Sequence, residues 1–213
     1  MGKILFEPQN DFYVYFKQED GPVEYATSVV YFLSSLFSVT LAVTFIRQKK
    51  NLFALSFLLL SIPFFFIAME EISWGQRIFL TENTGFFVDN LQNETNFHNL
   101  PIINGYLKLY FLLVSAGGVT LWAFFTHSDK LKDKSFTKYL VPPTFSIPYF
   151  ISAFLYYEML IFELYLPRSS DGLLLYIFSL DNEIFEFLLS LGILIFITSK
   201  IIKLKNQNRT LKL

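Results

Sequence analysis

The 213-residue chain contains no cysteine, 2 histidines and 2 tryptophans, and only 16% of its residues are charged. Without cysteine it has no disulfide, no thiolate metal ligand and no cysteine nucleophile. His98 and His127 belong to no HExxH, HxxxH or Glu-x-x-His pattern, which argues against a standard zinc or di-iron site. GxSxG, a Ser-His-Asp arrangement and a phosphate-cradling glycine loop are missing as well. The low charge is itself an exclusion, because a soluble domain carries about a quarter charged residues. What is abundant is apolar: 53% of the chain, including 27 Phe and 12 Tyr. These residues fall in blocks of about twenty, the length that crosses a hydrocarbon core of roughly 30 Å. The fold class expected is all-α, a polytopic membrane helix bundle forming a single integral membrane domain.

Five spans are expected, at about 26–46, 52–69, 101–125, 139–166 and 182–199. The first 25 residues lack the basic start and apolar run of a signal peptide and are expected to remain in the mature protein. Residues 78–100 read as a polar loop. Asn99 before Leu100 and Pro101 reads as a helix cap, since Asn accepts from free N–H groups and Pro suits a first turn. Pro142, Pro143 and Pro148 should kink span four, which requires neighbours to satisfy the freed backbone groups. Residues 172–180 are too few to span and read as re-entrant, with one long helix from Gly172 as the competing parse; Asp181 is expected to cap span five. Residues 200–213 read as a basic tail.

The net charge of −1 conceals a division. Arg47, Lys49, Lys50, Lys130, Lys132, Lys134, Lys138, Lys200, Lys203, Lys205, Arg209 and Lys212 all fall on one side of a five-span chain. Only Asp129 and Asp133 oppose them there, giving +10. The other side holds Lys3, Lys17, Arg77, Lys108 and Arg168 against the remaining sixteen acids, giving −11. By the positive-inside rule the N-terminus lies outside and the C-terminus in the cytoplasm. The basic tail suits stop-transfer and contact with anionic membrane lipids, with no nucleic-acid partner expected.

Chemistry-bearing residues gather on the acidic side, in EDGPVEY (19–25), EEISWGQR (70–77), NLQNETNFHN (90–99), YYEMLIFELY (156–165) and DNEIFE (181–186). If helix two continues through EEISWGQR, then Glu70, Ser73, Trp74 and Arg77 share a face and Glu71 turns away by about 100°. Glu94 and His98, like Glu183 and Glu186, have helical spacing that could aim two ligating groups at one centre. Carboxylates at headgroup depth cost several kcal/mol unless paired, protonated, hydrated or bound to a cation. A metal site of Glu70, Glu71, Glu94, His98, Glu183 and Glu186 follows, for a divalent ion among Ca, Mg, Mn, Fe and Zn. Ser73, Gln76, Asn96 and Asn99 would orient ligands or substrate, and Arg77 would add positive charge or bridge to Glu70 or Glu71. Glu71 and His98 are the catalytic candidates, in a water-activating attack on an ester, amide or phosphate of a lipid or envelope substrate.

Plainer readings stand beside these. Trp74, Tyr156, Tyr157 and Tyr165 suit an interfacial aromatic belt. Glu19, Asp20 and Glu24 read as solvated. Glu94 and Glu183 suit helix starts. Small residues Ser34, Ser38 and Ala42, and Gly117 and Gly118 with Ala116, mark close helix contact within the bundle or in a homo-oligomer. A non-enzymatic membrane subunit, whether ion pathway, sensor or partner scaffold, is the alternative function.

With EDGPVEY, EEISWGQR and Asn-Leu-Gln-x-Glu-x-x-x-His-Asn in view, the chain resembles a family of small, uncharacterised bacterial multi-pass membrane proteins carrying these strings. That resemblance covers the first half and implies a bacterial cytoplasmic membrane protein, without an activity. A looser similarity is to the alkaline ceramidase-like transmembrane hydrolases, which place an acidic cluster before the first span. Glu19, Asp20 and Glu24 look similar; the paired histidines of that family's last span have no counterpart in DNEIFEFLLS.

Overall fold

The computed structural model describes residues 15, 21–82, 85–88, 90, 94–132, 134–165 and 182–210. Among these there is no strand, and five helical stretches are long and apolar enough to cross a membrane. Seven helices are named here: α1 (Pro22–Arg47), α2 (Asn51–Glu71), α3 (Gln76–Phe79), α4 (Pro101–His127), α5 (Ser135–Leu140), α6 (Ile147–Tyr165) and α7 (Asn182–Thr210). Gly172 to Asp181, and with them the re-entrant piece and the Asp181 cap, lie outside the described residues.

α1 and α2 form a hairpin. α1 starts at Pro22, after an extended Gly21, where a missing N–H costs nothing. It ends through Lys49 at φ 56°, and the Lys50 amide donates back to Phe45 O. The two helices meet along small residues: Ser28 Oγ donates to Ala68 O at 2.7 Å and Ser35 Oγ to Ser61 O at 2.9 Å. In a bilayer, where there is no water to compete, such interhelical bonds contribute on the order of 1 kcal/mol each. Ser34, Ser38 and Ala42 are buried inside the chain, Gly118 lies under the Phe150 ring, and Gly117 faces open space.

α1 also packs on α7, α7 on α6, and α6 on α4. The helices therefore follow the order α2, α1, α7, α6, α4, and α2 and α4 are left facing each other without extensive packing. Aromatic rings fill the centre: Phe45 stacks on Phe57 at 5.7 Å and meets Tyr139 edge-on at 5.0 Å.

Span four is broken as its prolines require, into α5 and α6 with residues 141–146 between. The break is closed by a lysine. Lys200, buried on α7, donates Nζ hydrogen bonds to Val141 O at 2.6 Å and Lys138 O at 3.2 Å. Beside it Lys50 Nζ donates to the Tyr139 hydroxyl at 3.3 Å, and that hydroxyl donates to Gln207 Oε1 at 3.0 Å. The basic tail that begins at Lys200 is helical as far as Thr210, and Leu204 continues the buried face of α7 along it. The expected Asn99 cap is corrected. Leu100 occupies the cap position with no side-chain bond, Pro101 begins the helix, and Asn99 turns to Glu94 instead.

Candidate cation site at the acidic end

Helix α2 does not continue through EEISWGQR. It stops at Glu71, and Ser73, Trp74 and Gly75 take left-handed φ values of 47°, 52° and 79°. Two consecutive non-glycine residues in that region are costly, by about 1–3 kcal/mol each, and persist only where surroundings hold them. Here the surroundings are Glu70. Its carboxylate accepts from Trp74 Nε1, from the Phe97 amide at 2.7 Å and from the His98 amide at 3.0 Å, with His98 Nδ1 3.6 Å away. The sharp turn thus puts Trp74 back onto Glu70 and fastens the 94–100 segment to the end of α2.

That segment is not helical, so Glu94 and His98 do not form the helical pair expected of them. Glu94 is buried and accepts from Asn96 Nδ2 at 2.6 Å and Asn99 Nδ2 at 3.0 Å. Asn90 Nδ2 donates to Asn96 O and Oδ1, both at 2.9 Å, and Asn90 Oδ1 accepts from the Glu94 amide at 3.1 Å. Asn96 Nδ2 reaches Ser73 Oγ at 3.2 Å, and the Thr95 amide donates to Gln76 Oε1 at 2.6 Å. Ser73, Gln76 and Asn96 therefore hold the loop together. Glu70 and Glu94 are committed to the same task, which separates them from the carboxylates that face the bundle. Arg77 has its backbone in α3; its side chain, like Glu163 and Tyr165, lies outside the described residues.

Glu71 follows Glu70 by one residue, and the helix turns it about 100° away, toward α7. There it meets Glu183 and Glu186: one oxygen from each of the three carboxylates lies within 4.8 Å of the other two. They border a cavity of about 140 Å³, with Glu24, His98, Asn99, Lys108, Tyr157 and Asn182 also on its wall. Glu186 accepts from the Tyr157 hydroxyl at 3.2 Å. Glu71, only 9% exposed, accepts no side-chain hydrogen bond and joins no ion pair among the described residues. No fully enclosed side-chain nitrogen or oxygen among them lacks a partner, so the unpartnered Glu71 oxygens reach open space, and Glu71 borders the carboxylate cavity. Ionised together, two carboxylates at this spacing repel by about 3 kcal/mol at an effective dielectric constant of about 20. The cavity has room for several waters or for a hydrated cation.

Several wall residues lie elsewhere than their sequence context suggests. Glu24, expected in solvent, is buried and borders the cavity; its place in the first turn of α1 points it inward. Tyr156 and Tyr157, expected at the membrane interface, are each 1% exposed; Tyr156 donates to Asn182 Oδ1 and Tyr157 to Glu186. Their adjacency to Glu158 and the Asn-x-x-x-Glu spacing of α7 offered a signal, since a buried tyrosine hydroxyl needs an acceptor. Lys108, two turns into α4, is the one lysine on the wall among the described residues.

Fold and site together define a class: an all-α bundle of five helices able to cross a membrane, with a carboxylate-walled pocket at its acidic end. No protein-family model, curated protein or solved structure matches the chain.

Proposed function

We propose that this is an integral protein of the bacterial cytoplasmic membrane whose outward acidic pocket binds a divalent cation through Glu71, Glu183 and Glu186. The orientation follows from the charge division, with the basic ends of the helices in the cytoplasm. The observation that carries the reading is Glu71: a carboxylate buried among other carboxylates, open to a cavity and without a hydrogen-bond donor. An uncompensated charge at such depth is expensive unless it is paired, protonated, hydrated or bound to a cation, and a hard divalent cation takes such oxygen ligands. A cation held there would polarise an ester, amide or phosphate oxygen and sharpen a bound water as nucleophile. His98 and Glu24, on the same wall, are placed to accept a proton, and Lys108 to attract an anionic group. The activity proposed is hydrolysis of a lipid or envelope substrate.

A through-membrane ion pathway is less well supported. Between the acidic pocket and Lys200 the buried centre is apolar, and its serines Ser34, Ser38, Ser115 and Ser190 bond back to their own helices. Elemental analysis of detergent-purified protein, after equilibration with Mg, Ca, Mn, Fe or Zn, tests the proposal. About one equivalent of one of these metals is expected in wild type and none in Glu71→Ala; wild type free of all five would contradict it.

A further inference from the structure

Within the stretch expected as a polar loop, three neighbouring apolar side chains stand out from the bundle. Ile78, Phe79 and Leu80 are 69%, 74% and 87% exposed. They follow the left-handed turn that ends α2, and Leu80, itself left-handed at φ 52°, ends α3. Gln76, at the start of α3, accepts from the Thr95 amide and so faces the polar 94–100 segment. Among the described side chains of residues 72–88 only Glu82 is charged. An apolar patch of this kind marks a contact with a membrane or a partner, and its level relative to α2 decides between them.

The level follows from the length of α2. Its 21 residues begin directly after Arg47, Lys49 and Lys50, and at 1.5 Å per residue they cover about 31 Å. A hydrocarbon core of roughly 30 Å therefore ends close to Glu71, and α3 begins just beyond it. The chain then folds back along α2. The Trp74 ring meets Phe66 at 5.6 Å, more than a helical turn before Glu71; Phe66 also meets Phe97 at 6.1 Å, and Phe97 meets Phe87 at 5.1 Å. Phe66 belongs with Ile62 and Phe65 to the exposed flank of α2, so the patch continues a surface that already faces lipid.

We infer that α3 is an interfacial membrane anchor: Ile78, Phe79 and Leu80 enter the headgroup–acyl boundary of the leaflet at the acidic end. Only side chains enter. The turns on either side of α3 leave backbone groups that need water or headgroups, which holds the backbone at headgroup level. Trp74 fits the same boundary, with its ring on Phe66 and its Nε1 donating to Glu70. Lipid is the occupant because a patch at this level meets it without any further chain. Glu70 holds the turn that carries the anchor, and Glu71 beside it borders the carboxylate cavity, so the anchor sets that cavity at the membrane boundary. Nothing in the anchor depends on a cation in the pocket.

The chain has no cysteine, so a single introduced one is a unique attachment point. Full-length Phe79→Cys, Leu80→Cys, Glu82→Cys and Leu36→Cys, each carrying a nitrobenzoxadiazole fluorophore, are placed in nanodiscs of phosphatidylglycerol and phosphatidylethanolamine. Quenching is read with iodide in the water and with lipids spin-labelled near the carbonyl or near the chain end. Fluorophores at positions 79 and 80 should respond most to the near-carbonyl lipid and about fivefold less than position 82 to iodide, the pattern of side chains roughly 5–10 Å inside the boundary. Leu36, exposed halfway along α1, should respond most to the chain-end lipid. Iodide access at positions 79 and 80 equal to that at 82 would overturn the anchor. Shielding there from iodide and from both lipids would overturn it too, because protein would then cover the patch. If position 36 also escaped lipid quenching, the membrane span of α1 would fall with the anchor. The Phe79 ring lies against Gly75; should Phe79→Cys lower the melting temperature, position 80, the most exposed of the three, decides.

Discussion

The two ends of the bundle handle buried charge in opposite ways. At the basic end, Lys200 is as deeply buried as Glu70 at the acidic end, yet its ammonium donates to Val141 O and Lys138 O, two carbonyls freed where the prolines break span four. Charge and unsatisfied backbone answer each other within the chain. At the acidic end Glu70 and Glu94 receive the same answer, accepting two to three donors each from a loop built around them, and Glu186 accepts from the Tyr157 hydroxyl. Glu71, one residue from Glu70, faces two more carboxylates instead. The comparison teaches that acidity alone does not mark a site. What distinguishes Glu71 is that nothing in the described chain compensates it.

The sharpest way to break this contrast is to remove the anchors. Glu70→Ala leaves the Phe97 and His98 amides and the Trp74 indole without their acceptor and releases the left-handed turn. A loss of about 3–5 kcal/mol is expected, seen as a large fall in melting temperature in detergent. Lys200→Met keeps the stem and removes the donors, leaving two buried carbonyls unsatisfied. It should cost about 1–3 kcal/mol, read in the same melts, with no change in metal content. Asn96→Ala breaks the side-chain bonds to Glu94, Ser73 and Asn90 but leaves Asn90 on the Asn96 carbonyl and Asn99 on Glu94. About 1–2 kcal/mol is expected, together with faster amide exchange over residues 94–100. If Asn96→Ala abolished metal uptake while stability held, the division between loop-holding and cavity-facing groups would be wrong.

Much of the scaffold was legible beforehand because bilayer thickness imposes it. Runs of about twenty apolar residues and Pro101 at a helix start each report a one-dimensional constraint. The kink in span four was equally plain, since proline acts locally. The lysine that closes it was not, because Lys200 and Val141 are far apart in sequence. The acidic residues were found as a set, but their roles were not. Whether Glu70 or Glu71 faces the bundle depends on where α2 stops, and the left-handed turn at Ser73 and Trp74 is held by tertiary bonds to the 94–100 segment, not by local propensity. The spacing of Glu94 and His98 suggested a helix, whereas asparagines bonding to nearby backbone compete with one. Glu24 and Tyr157 were placed at the surface because polar groups at span ends usually sit there; convergence of five helix ends put them inside.

The most direct measurement is the melting of wild type and Glu71→Gln, each with and without the metal that elemental analysis identifies. Glu71→Gln removes a charge and no hydrogen bond, so without metal it should match or slightly exceed wild type. At about a hundredfold excess over the dissociation constant the cation should raise wild-type stability by about 2.7 kcal/mol. The variant should respond far less. Equal responses of the two proteins to metal, or a Glu71→Gln protein that unfolds without it, would contradict a cation site built on Glu71.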